Sequence, residues 1–519
     1  MRVGRLRSRP CGLRGPRRRA AWFALLIALM AGAGASPARA QRDADRLRIV
    51  WRDAITNIDP YRNQLRSGLV VAQECWDTLV YADPNTLTMK PLLATAWRQV
   101  DDVTLEFTLR EGVRFHNGDP FDADDVVYTV NIVARDPAVA VPGNTAFLDH
   151  AERIDATHVR LVLRHPYAAA LATIAAVLPI LPHDYRERVG AAGYATAPVG
   201  TGPYRIAAVE ADGLELERWD GYFAGPKGRP AIGRLSIHTV PAGGEVAALL
   251  DGRADWTWQF GADALDAIDH QPALQSVRAE SMRFGFLGLD AAGRTGAGNP
   301  LTRLEVRQAV AAAVDRDAFS RAATGGAGRP LRAPCYPTQF GCDQSAAVVI
   351  PHDVAAAKAA LAKAGLAGGF ATRLFAAGLP ASAALIQQDL QRVGIDATVM
   401  QLPANEAVGA SQAGDVPLSL ASWGSYSIND IAAVLSQFFG GGPQDYARDP
   451  ALEALVAKGD AAADPDTRRQ AYAAAIHRIT EQAYWVPLTT YITTYAFTRD
   501  LVFQPFADEL PRFYLARWR

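Results

Sequence analysis

Metal ligands and nucleophiles are sparse in this sequence, and they are not grouped. It contains 4 cysteines and 9 histidines among 519 residues, and no histidine makes a close pair at ligand spacing with another histidine or a cysteine. A site built from His116, His238 and His352 would depend wholly on folding to assemble it. No phosphate-binding Gly-x-x-x-x-Gly-Lys loop, Gly-x-Ser-x-Gly elbow or His-Glu-x-x-His helix occurs, which removes the main nucleotide and hydrolase signals. The neighbouring carboxylates Asp101-Asp102 and Asp124-Asp125 are adjacent rather than helically spaced, so they read as turn and cap residues, not acid–base pairs. After the first forty residues no apolar run approaches the ~20 residues that a bilayer span requires. Neither an enzyme nor a resident metal or cofactor is expected.

What is present begins with an export signal. The first forty residues hold nine arginines and no acidic residue, followed by the apolar stretch Ala20 to Ala33 and the small-residue sequence Ala38-Arg39-Ala40. That order describes a secretory signal of the Sec type, cleaved after Ala40. The nearby Cys11 precedes the apolar run, so a lipid anchor is not expected. Removal of the signal leaves 479 residues and takes the formal net charge from −1 to −10. A chain of that size supports two or three domains. Its acidity argues against nucleic acid as a partner, because Lys and Arg on phosphates supply most of that affinity. In an oxidising compartment Cys335 and Cys342 are expected to form a disulfide, and Cys75, within a helical pattern, to be a buried thiol.

Periodicity along the chain mixes short strands with helices. Strands are expected at Leu47 to Trp51, Val103 to Leu109, His158 to Leu163, Tyr204 to Val209, Leu214 to Arg218 and Leu235 to Val240. Helices are expected at Gly68 to Tyr81 and from about Asp122. The second half reads as further α/β units. Its helices fall at Arg303 to Val314, Asp353 to Ala364, Ala381 to Val393 and Thr467 to Glu481, around strands at Thr372 to Phe375 and Asp396 to Gln401. A crossing between lobes is expected at the glycine-rich Gly293 to Pro300, with the apolar Phe284 to Leu289 before it, and a return at Pro487 to Tyr491. Two segments end in aromatic clusters: Trp256 and Trp258 alternate, and Trp423 and Tyr426 follow Leu418-Ser-Leu-Ala-Ser. Large rings supply apolar area in ligand clefts, so Trp258 and Trp423 are candidates for a binding surface.

Several segments, in order, resemble the family 5 solute-binding proteins, the peptide and nickel binders of ABC importers. Leu109 to Thr129 (LREGVRFHNGDPFDADDVVYT) is similar to the family signature, and PLLATAW (91–97), VGTGPYRI (199–206), VRQAVAAAVDRDAF (306–319), AKAALAKAG (357–365) and IQQDLQRVGIDATV (386–399) keep the family order. Within them Asp124 is read as a helix cap, Gly200 and Gly202 as a tight turn, and Asp315 as a helix-to-loop junction. The resemblance implies an α/β fold of the type II periplasmic binding class, with two hinged lobes and an inserted accessory domain. On that reading 41–80, 199–283 and 489–519 form lobe I, 81–198 the insertion, and 284–488 lobe II. It further implies a periplasmic, monomeric protein that binds a small or peptide-like solute. Its partners would be the transmembrane permease and cytoplasmic ATPase of an importer.

The same resemblance brings Gln64 and Arg66 near the ligand, along with the segment Ser422, Trp423, Gly424, Ser425, Tyr426. In peptide binders this segment carries an aspartate three residues after the tryptophan, which holds the peptide amine. Here that residue is Tyr426. An ordinary free-amine peptide is therefore disfavoured, and a ligand of aromatic, sugar-like or acidic character, or a blocked peptide, is expected. The alternatives are a nickel or metal-chelate binder and a solute sensor outside transport.

Overall fold

In the computed structural model, residues 45–519 are described except 54, 56, 64, 65, 137–144, 242, 378 and 379, with the backbone alone at 262, 377, 380, 404, 405 and 426. The expected signal peptide and its cleavage site lie outside the described residues. Among those described, no helix is long and apolar enough to cross a membrane.

Alternation of apolar and polar residues puts Arg46–Trp51 into a strand whose partners are distant in sequence: it pairs in parallel with both Arg234–Thr239 and Trp256–Trp258. They belong to a ten-stranded sheet. From one edge its order is Ile395–Leu402, Phe370–Ala377, Leu418–Trp423, Leu274–Leu289, Trp485–Thr498, Trp256–Trp258, Arg46–Trp51, Arg234–Thr239, Gly213–Arg218, Tyr204–Glu210. A separate four-stranded sheet pairs Ala94–Asp101, Thr104–Leu109, His158–Leu163 and Leu148–Arg153 in that order. Buried side chains collect on different sides of the long central strands. One cluster contains Ile49, Phe107, Leu235 and Phe513; two others contain Leu287 with Leu420, and Phe286 with Ile476.

Helix starts follow the local chemistry. Ala123–Arg135 is capped by Asp122, whose side chain accepts the Asp124 N–H at 2.8 Å, while Asp125 Oδ2 accepts the Asp122 N–H at 2.9 Å. The cap is therefore Asp122, not Asp124, because only residue 122 has the extended backbone that turns its side chain back on the first turn. Asp315 and Asp353 likewise cap Arg316–Thr324 and Val354–Lys363.

Two further expectations are corrected. The helix expected over 68–81 is Arg66–Cys75 and stops there, because Gly202 brings its N–H to the Cys75 carbonyl at 3.0 Å, and Val80–Ala82 becomes a strand. Gly200 and Gly202 serve this close approach: a Cβ on Gly200 would lie 2.1 Å from the Cys75 oxygen. The glycine-rich 293–300 is not a crossing. It wraps the fully buried Asp290, whose carboxylate accepts from the Arg294 and Thr295 N–H groups, the Thr295 hydroxyl and the Asn299 amide at 2.7–3.0 Å. The sheet is instead continuous through the long strands Leu274–Leu289 and Trp485–Thr498, whose antiparallel register slips between Glu280 and Phe284 and again between Gly285 and Phe286.

Candidate functional site

Where the register slips, Arg283 sits in the first of the long strands. Its guanidinium meets Glu509, with Nε at 3.1 Å and Nη2 at 2.9 Å from Oε2. Arg66, at the first turn of Arg66–Cys75, brings Nη2 to the same oxygen at 3.1 Å. Its Nη1 donates to the Ser427 hydroxyl and, at 3.3 Å, to the Asp508 carbonyl. Glu509 is 3% exposed, and its Oε1 also accepts the Thr493 hydroxyl at 2.9 Å. Burial works to raise this carboxyl, but Arg283 and Arg66 outweigh it and hold the group down at about 2. Asp508 is already taken by Arg512, at 2.5 Å. The cluster thus sets three guanidiniums against two carboxylates.

Within this cluster Arg66, Arg283, Thr493 and Glu509 form one wall of a cavity of about 1260 Å³, which Trp423, Phe286, Phe438, Trp485 and Tyr491 also line. The rings are held by each other: Phe286 stacks on Trp485 at 3.5 Å, and Phe438 meets Trp423 edge-on at 5.1 Å. Trp423 is further fixed by its Nε1, which donates to the Ala433 carbonyl at 3.1 Å. The Tyr491 hydroxyl is buried with no hydrogen-bond partner, and burial pushes it up to about 12. A smaller, mostly apolar cavity of about 290 Å³ lies beyond the Arg66–Ser427–Asp508 contact and shares Leu69 with the larger one. Only the larger cavity touches Arg283 and Glu509, so the site is assigned to it.

The segment 422–426 leaves the end of the Leu418–Trp423 strand and turns through a short 3₁₀ helix, Ser425–Ser427. Gly424 passes where the guanidiniums converge: a Cβ there would lie 2.7 Å from Arg66 Nη2, 3.2 Å from Arg283 Nη2 and 3.4 Å from Glu509 Oε2. Ser422 lines the cavity, with its Oγ 3.3 Å from Arg283 Nη1. Ser425 is fully buried at a left-handed φ of 51°, and its Oγ has no hydrogen-bond partner. It lies behind the wall rather than on it. Gln64 lies outside the described residues, and only the backbone of Tyr426 is described.

Trp258 is corrected. It is 2% exposed and packs among Trp51, Trp256 and Tyr495, because residues two apart on a strand share a face and here that face is core. The cavity is lined instead by the next two residues, Gln259 and Phe260. Cys335 and Cys342 are joined in a disulfide, and Cys75 is buried and free. The three histidines do not share a site. His116 Nε2 contacts the Gly202 carbonyl and His352 Nδ1 that of Ala312, while the half-buried His238 faces the exposed Glu210 and Asp212 outside both cavities. Sequence reasoning missed Arg283, Tyr491 and Glu509. An arginine and a glutamate 226 positions apart carry no local signal of their pairing.

Residues 88–446 match the family model described as bacterial extracellular solute-binding proteins, family 5 Middle. The chain belongs to this family. Family 5 solute-binding proteins take peptides or other small solutes for ABC importers; they are transport proteins, not enzymes. The chain is 28% identical over 438 residues to di/tripeptide-binding protein 2 of Pseudomonas aeruginosa (strain UCBPP-PA14), covering 77% of this chain and 80% of that relative. The fold of this family 5 protein matches that of the periplasmic binding protein DppA from Helicobacter pylori in complex with the peptide STSA. The TM-score is 0.80 at 22% identity, over 91% of this chain and 98% of that one. It likewise matches the binding protein AgaA in complex with agropinic acid from A. tumefacien R10, with a TM-score of 0.79 at 24% identity over 91% and 98%.

Proposed function

We propose that this family 5 protein works in the periplasm as a monomer. It captures one small solute in the aromatic cavity and hands it to the permease of an ABC importer, and that solute is not an ordinary free-amine peptide. The observation that carries the second part is the state of the carboxylates on the described wall. Glu509 is consumed by two guanidiniums, and Asp53 is half-buried with the Arg52 charge close by, while burial raises its carboxyl and so disfavours the anion. Asp263 stands exposed at the rim. None is a lone buried anion ready for an ammonium, and the residue in the family's amine-holding position is Tyr426. An amine buried without a partner costs ~2–5 kcal/mol, or ~30-fold and more in affinity.

The lobes are read as 41–80, 199–283 and 489–519 against 284–488, with 81–198 inserted. The separate core clusters on the two sides of the long strands support that division. The relatives bracket the ligand chemistry, since one binds di- and tripeptides by name and another is seen with agropinic acid. Calorimetry with Ser-Thr-Ser-Ala and its N-acetylated form tests the reading. No preference for the free amine is expected, and a tenfold or larger preference for it would sink the proposal.

A further inference from the structure

Resting on the reading that the large cavity is the solute site, we infer that the solute carries a carboxylate, which seats between the Arg283 guanidinium and the Tyr491 hydroxyl. Two separate observations point to that seat. The first is charge. Arg66, Arg283 and Arg512 make ion pairs only with Asp508 and Glu509, and the Glu74 carboxyl near Arg512 is raised by burial to about 8 and so neutral, so one positive charge in this cluster has no anion. Arg66 is spent on Glu509, Ser427 and the Asp508 carbonyl; Arg512 holds Asp508 and the Leu510 carbonyl, and although its Nε has no partner, it does not line the large cavity. Arg283 is not: its Nε and Nη2 hold Glu509, while Nη1 has only the Ser422 hydroxyl at 3.3 Å, and its side chain is 30% exposed at the cavity. The surplus charge with donors to spare is therefore Arg283.

The second is an orphan donor. The Tyr491 hydroxyl is buried, lines the same cavity and has no partner, a state that costs free energy until something accepts from it. It stands close to Arg283: a Cβ on Gly285, two residues along the same strand, would lie 3.3 Å from that hydroxyl oxygen, and the Arg283 charge lowers the proton affinity of the phenol. A phenol and a guanidinium that line the same cavity side by side suit an acceptor with two oxygens and one negative charge. A carboxylate fits both, whereas a carboxamide offers one acceptor and no charge. A glycine at 285 leaves the phenol its place, since a side chain there would displace it.

Thermal-shift and calorimetric titration of a panel of N-acetylated amino acids and short peptides, each as free acid and as C-terminal amide, tests this. Acids are expected to bind at least tenfold more tightly than their amides. Tyr491→Phe removes only a hydroxyl that no protein group uses, so the fold is retained. It should weaken acids by about tenfold, a hydrogen bond to a charged group, and amides by clearly less, a hydrogen bond to a neutral one. Arg283→Met should abolish the distinction between acid and amide. A panel in which no acid outperforms its amide, or a Tyr491→Phe protein that binds acids as the parent does, overturns the inference. Neither outcome touches the comparison of free with blocked amines, so the two proposals fail separately.

Discussion

At Gly424 space alone dictates the residue. Its φ of −110° is open to any amino acid, yet a methyl group would press on both guanidiniums that hold Glu509. Arginine tips are the yielding ends of long side chains, so Gly424→Ala should cost little stability, about 1 kcal/mol. It should cost more than tenfold in solute affinity, because the seat of the ligand moves. Chemical denaturation and calorimetry on one preparation separate the two effects. A second residue speaks through pH. Glu74 is fully buried, accepts the Phe513 N–H at 2.8 Å, and is pushed by burial from an ordinary value near 4.5 to about 8. A carboxyl raised in the folded state favours its protonated form. Its contribution is whole below about pH 4.5 and fades as the pH climbs through 8. Glu74→Gln keeps an acceptor for Phe513 and cannot ionise. Urea titrations at pH ~5 and ~8 should show the parent losing on the order of 2–4 kcal/mol relative to the variant. Equal losses in both proteins would rule this account out.

Among the elements, those with strict alternation or a capped start were legible in the sequence. His158–Leu163 matches its expected strand at both ends, and Asp353 announces Val354–Lys363 from one residue before it. Elements whose limits are set by distant chain were not. Nothing near Cys75 says that Gly202 will take its carbonyl, and an apolar run such as Phe284–Leu289, buried on both faces, has no period to read. The same reason misplaced Trp258: a tryptophan after a turn suits a cleft or a core equally, and only the neighbours Trp51 and Tyr495 decide. The loop 335–342 gives the prediction at this scale. Its disulfide closes a seven-residue separation, for which loop-closure entropy gives roughly 2 kcal/mol. The double variant Cys335→Ser/Cys342→Ser should unfold earlier in urea by about that amount, and the parent should match it once reduced. Parent protein with Cys335 and Cys342 both free by mass spectrometry, beside the free Cys75, would remove the bridge from this account.

For the whole molecule, the proposed capture would depend on the two long strands. Arg283 and Tyr491 lie in them, one on each, close to where their register slips, so any bend between the core clusters passes through the site itself. A ligand that bridges the walls therefore favours the closed arrangement over both the open and the unfolded ones. For one site and no affinity for the unfolded chain, ligand at a hundred times Kd adds about 2.7 kcal/mol, whatever the solute is. With the tightest acid from the panel, the melting temperature should rise, and the radius of gyration in small-angle scattering should fall. The dose dependence should follow a single site and be the same at different protein concentrations, as the proposed monomer requires. In the Arg283→Met protein both changes should vanish together, since the proposed closure needs a ligand that bridges the walls. A radius that shrinks with acid in that variant would mean that closure is driven from somewhere other than the Arg283 wall.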